Sequence, residues 1–191
     1  MASEDTYRAG VIIKECAPIL LTAMVFALVA GSNLENARDL ILGKALIILM
    51  TVPAFINMEG GLASVFSSRV TSHLFVGTLD SNFKPRRILF RDIGAITLVA
   101  LTGFLFLAAL TAVLNRILMS SPLDDIVIIN VVVLAGLTTT VAMCGIGLVG
   151  AYVSFRRGLN PDNFTAPVTL AVGDALGIFL LILALRTLAF L

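Results

Sequence analysis

Asn160-Pro161-Asp162-Asn163-Phe164-Thr165-Ala166-Pro167-Val168-Thr169-Leu170-Ala171-Val172-Gly173-Asp174-Ala175-Leu176-Gly177 decides how this chain is read. A polar, proline-punctuated entry leads into an apolar run that continues to the C-terminus. Asp174 stands well inside that run. Ten helical residues carry it about 15 Å from the start of the span, near the middle of a hydrocarbon core of about 30 Å. A charge at that depth is unfavourable by at least about 2.5 kcal/mol, and such residues face a bundle interior or a wet path.

The surrounding composition belongs to an integral membrane protein. Of 191 residues, 59% are apolar and 13% charged, against roughly half and a quarter in soluble domains. The expected fold is all-α, with five transmembrane helices at about 11–31, 40–58, 93–114, 126–155 and 164–188. Residues 1–191 then form a single transmembrane domain, with no stretch left for a soluble regulatory domain. The second span is expected to break near Pro53–Gly61, because Pro53 and the pair Gly60-Gly61 weaken helix continuity. A net charge of +1 argues against a nucleic-acid partner. Cys16 and Cys144 lie in apolar segments without metal-type spacing and read as packing residues. The N-terminus lacks a basic n-region, so the first apolar segment is kept as a span and not as a cleaved signal.

Between the spans, His73 and Asp92 fall in a polar, basic connection over 70–92. His73 reads as a solvated or capping histidine, and Asp92 as a charge at a helix N-terminus. Asp124 and Asp125 cap the fourth span and also form an acidic mouth that concentrates cations. Lys and Arg number nine on the side of the N-terminus and four on the other. The nine-charge side is therefore expected to be cytoplasmic, with the N-terminus inside, the C-terminus outside and the protein a multi-pass resident of the cell membrane, its spans facing membrane lipid.

A carboxylate at Asp174 can pair with a base, stay protonated, or meet a cation. No Lys or Arg stands at its depth in the other spans. A carboxylate with waters and carbonyls suits a hard divalent ion, and Mg²⁺ keeps most of its waters and needs few protein ligands. Two chains about a two-fold axis supply two facing carboxylates, which makes a homodimer interface the natural pore. No Cys/His cluster offers a zinc or copper site, and no nucleophile–base pair suggests an enzyme. A coupled sodium or proton exchanger of Mg²⁺ and a non-transporting membrane scaffold or regulatory subunit are the competing readings.

Two motifs carry a resemblance. Pro161-Asp162-Asn163, Pro167 and Gly173-Asp174 resemble the last-span signature of the MgtE and solute carrier family 41 magnesium transporters. Pro53-Ala54, Gly60, Ser68-Arg69 and Gly77 resemble that family's second-span motif, and the basic entry from Arg86 to Asp92 also fits. The resemblance implies that Asp174 contacts the central cation. It also implies a homodimer, since eukaryotic members hold two such halves in one polypeptide. Gly61 stands where the family has asparagine, and Ala63 where its eukaryotic version has glutamate. Glu59 and Asn57, just upstream, are secondary candidates as cation ligands. Gly60, Gly61, Thr169, Gly173, Asp162 and Asn163 are candidate pore-lining residues; Mg²⁺ enters as transported ion, and no cofactor is expected.

The orientation is checked by thiol labelling on intact cells. A membrane-impermeant reagent is expected to modify Ser120→Cys and to leave Ser81→Cys unmodified until the membrane is opened.

Overall fold

A computed structural model describes residues 9–79, 87–119, 123–157 and 161–189. Its elements are α1 (Ala9–Asn36), α2 (Arg38–Lys44), α3 (Leu46–Phe75), α4 (Arg87–Leu114), a π-type turn over Asn115–Met119, α5 (Asp125–Arg156) and α6 (Pro161–Leu188). Five of these helices are long and apolar enough to cross a membrane. An apolar bilayer offers backbone groups no water, so each span closes its own hydrogen-bond ladder.

Three expectations are corrected. α3 is not broken at Pro53–Gly61; one helix of 30 residues runs through Pro53, Gly60 and Gly61. Interrupting the ladder at membrane depth exposes carbonyls to lipid, which is worse than straining it around one missing N–H. The discontinuity falls earlier, at Ala45 (φ −136°, ψ 35°), between the seven-residue α2 and α3. The span also reaches Phe75 instead of ending near Met58, through residues from Val70 onward that had read as a connection. A turn through Gly77, whose φ of 74° suits glycine, ends it. α4 likewise starts at Arg87 and not at Ile93.

The long helices alternate in direction. Phe75 and Phe155 meet edge to face at 5.5 Å, placing the ends of α3 and α5 together. Arg186 donates to the Asn36 carbonyl at 3.2 Å, placing the ends of α1 and α6 together on the other side. α3, α5 and α6 form the centre; α4 covers α3 and α5, while α1 leans on α6. Phe55, Phe66 and Phe104 are fully buried there. Phe55 and Phe104 pack with their rings tilted by 45° and centroids 5.2 Å apart. The exposed apolar residues of α1, such as Leu20, Leu21, Met24 and Leu28, face outward, as lipid contact allows.

Small residues set the closest approaches, as expected where packing and not solvent drives association. Phe104 of α4 lies directly over Gly136 of α5. Ser67 of α3 lies against Gly147, Thr165 of α6 against Gly150, and Met143 of α5 against Gly173. Thr51 of α3 and Thr111 of α4 bring their hydroxyls to 3.2 Å while each bonds a carbonyl of its own helix. Thr138, Thr139 and Thr140 also bond back to their own helix, at 2.7–2.9 Å.

Gly136→Val drives a side chain into the Phe104 ring. Overpacking of this kind destabilises by about 1–3 kcal/mol, so the melting temperature in detergent is expected to fall by about 5 °C. Gly145→Val, whose added carbon meets no atom within 4 Å, is expected to leave it unchanged.

Candidate functional site

Pro53, Asn57, Gly60, Gly61 and Ser64 recur at helical spacing and so share one face of α3. That face and Leu170 and Asp174 of α6 line a groove of about 510 Å³, with Ile56 at its edge. Gly60 allows the approach, because a Cβ there would strike Leu170. At Gly61 an added carbon meets nothing within 4 Å, so the groove is open on that side. Asp174 has 13 residues of α6 before it and 14 after, which puts it at the midpoint of the helix. It is half-buried, and no described base pairs with it. The groove thus offers a carboxylate, the Asn57 amide and the Ser64 hydroxyl, all hard oxygen donors. Among the described residues no three of His, Cys, Asp and Glu cluster as a metal centre.

Candidates separated by over 100 residues in sequence therefore meet: Asp174, Asn57, Gly60 and Gly61 share the groove. Others do not join them. Glu59 is turned the other way, into the core, at 2% exposure. Among the described residues its carboxylate finds no hydrogen-bond donor in good geometry. It lies against Gly177 and Phe55, with Thr139 and Asp174 within electrostatic reach. The Thr139 proton goes to the Ala135 carbonyl at 2.8 Å. Thr169 is buried, donates to the Thr165 carbonyl at 2.9 Å and lies near Gly147 of α5. Gly173 faces Met143 of α5. Neither Thr169 nor Gly173 reaches the groove, because their positions on α6 are turned away from Leu170 and Asp174 toward α5. The side chains of Asp162 and Asn163 lie outside the described ones.

At the opposite loop Asp124 is exposed and opens α5 in an extended conformation (φ −64°, ψ 142°), with no side-chain cap bond. Asp125 pairs with Arg116, so one of the two acids expected at an outer mouth is already neutralised. The far end of α3 holds a network that sequence reading missed. Asp92, read as a helix-terminal charge, is the sixth residue of α4 and is buried. It accepts from Arg69 at 2.5 Å and lies 3.0 Å from the Nε2 of His73. The Nδ1 of His73 lies 2.9 Å from the Thr78 hydroxyl, so this histidine is a bonded corner piece and not a solvated one. Nothing local marks that pairing, since 19 and 23 residues separate the partners. The groove face of α3 did leave a signal, the recurrence of small and polar residues at Asn57, Gly60, Gly61 and Ser64.

A family model described as "MgtE: Divalent cation transporter" matches residues 52–184. The chain is similar to solute carrier family 41 member 2 of Xenopus laevis, 27% identical over 137 residues, and of Homo sapiens, 26% identical over 137 residues. The mouse relative is 27% identical over 140 residues. Each match covers 70% of this chain and 24% of the relative, so the chain spans about a quarter of the length of these curated proteins. No solved structure matches.

The enclosure of Glu59 predicts a coupling. A methyl group at Gly177 displaces the Glu59 carboxylate, so Gly177→Ala is expected to destabilise by about 1–2 kcal/mol. In a Glu59→Ala background most of that effect should vanish, a coupling that a double-mutant cycle on detergent unfolding reads directly.

Proposed function

Because the chain belongs to the MgtE family of divalent cation transporters, we propose that it moves Mg²⁺ across the membrane along the groove between α3 and α6, with Asp174 as the central cation contact. The observation that carries this reading is the position of Asp174: mid-helix, facing an open groove, without a basic partner among the described residues. A divalent ion that keeps most of its waters needs few protein oxygens. Asn57 and Ser64 line the same groove and can hold such waters. Gly60 and Gly61 keep side chains out of the path.

One groove offers one carboxylate. A second copy of the chain, facing the first across this open side, completes the site with a second Asp174 in a closed two-fold pair. Two such acids alone repel, and a bound divalent cation relieves the repulsion. The side bearing the ends of α3 and α5 and the starts of α4 and α6 carries Arg69, Arg87, Arg91, Arg156 and Arg157. That side is the cytoplasmic one under the positive-inside rule, and Asp124 then faces the outer entrance.

Purified protein in liposomes carrying a Mg²⁺-sensitive dye is expected to show uptake that Asp174→Asn reduces to the protein-free background. Undiminished flux in that variant removes Asp174 from the path. With Cys16 and Cys144 replaced by alanine, Gly61→Cys is expected to cross-link two chains under mild oxidation. Failure to cross-link, with flux intact, argues for a path within one chain.

A further inference from the structure

The polar network at the end of α3 borders a second cavity, of about 250 Å³, lined by Ser68, Arg69, Ser72 and His73. Unlike the groove, every residue lining it is polar. Asp92, buried behind it, engages Nη2 of Arg69 at 2.5 Å and faces Nε2 of His73 at 3.0 Å. That carboxylate fixes one edge of the guanidinium and leaves the rest of its N–H fork, with the side chain 52% exposed, toward the cavity. Ser68 and Ser72 stand one turn apart on the same face. Ser72 donates to the Ser68 carbonyl at 2.9 Å, a bond that a hydroxyl exchanges by rotating. A guanidinium fork flanked by hydroxyls is a donor set for phosphate oxygens.

Depth selects the source of the phosphate. α3 has 30 residues, about 45 Å of helix, so a hydrocarbon core of about 30 Å occupies its middle ~20 residues. Arg69, six residues from the helix end, sits at the edge of that core, level with lipid headgroups. Arg87, Arg91, Arg156 and Arg157 are exposed on the same side of the bundle and add to a positive rim that attracts anionic lipid. We propose that this cavity seats the headgroup phosphate of an anionic membrane lipid. The site is separate from the groove and does not depend on cation transport.

Native mass spectrometry of the detergent-purified chain, equilibrated with equal phosphatidylglycerol and phosphatidylcholine, tests it. The protein is expected to retain phosphatidylglycerol about fivefold over phosphatidylcholine. Ser68→Leu, which fills the cavity and leaves the Arg69–Asp92 pair in place, should abolish the preference, as should Arg69→Gln. Arg38→Gln, at the other end of the bundle, should keep it. An unchanged preference in Ser68→Leu overturns the proposal. Displacement of phosphatidylglycerol by inorganic phosphate alone overturns the lipid assignment in favour of the free anion.

Discussion

The close approach of α3 and α6 is the contact on which the rest of the bundle depends. Two glycines permit it from opposite sides: Gly60 of α3 admits Leu170, and Gly177 of α6 admits the Glu59 carboxyl group. Lipid offers no hydrophobic drive for two apolar helices to associate, so packing at short range must supply it. A side chain at either glycine separates the helices and removes the wall that holds Asp174 beside Asn57. The same device recurs between α5 and its neighbours at Gly136, Gly147 and Gly150.

This contact divides two carboxyl groups that share a depth. Glu59 and Asp174 each have 13 residues of their own helix before them. Asp174 faces an open groove and can keep water or an ion. Glu59 is enclosed by Phe55, Thr139 and Gly177, with neither oxygen bonded in good geometry among the described residues. The difference is one of helix face: Glu59 is two positions on from Asn57, a turn of roughly 200° about the axis. Uniting them as neighbouring ligands, as proximity in sequence invites, therefore fails.

The basic side of the bundle has its own organisation. Asp92 holds Arg69 and faces His73, and so ties the last turns of α3 to the first turns of α4. A carboxylate buried there is tolerable because both its oxygens have partners. Sequence reading placed Asp92 at a helix start, because it began α4 at the hydrophobic boundary, Ile93, and not at Arg87. α3 likewise continues through polar residues to Phe75, for headgroups accept a polar helix as readily as a polar loop. The missing break at Pro53 has the complementary cause: local propensity argues for an interruption, and the surrounding lipid and helices override it.

What the sequence by itself determined was the solvent and the depth. Composition pointed to a bilayer, hydropathy counted five spans, and position along the last span put Asp174 near the middle of its helix. The spacing of Asn57, Gly60, Gly61 and Ser64 also announced a small, polar face on α3. Which way each face points was decided only by the tertiary structure. In water, an apolar stripe marks the buried side of a helix. In lipid, both the buried and the exposed sides are apolar, so periodicity loses that meaning. The turning of Thr169, Gly173 and Glu59 away from the groove, and the meeting of Arg69 with Asp92, follow from contacts between distant segments that local hydropathy does not encode.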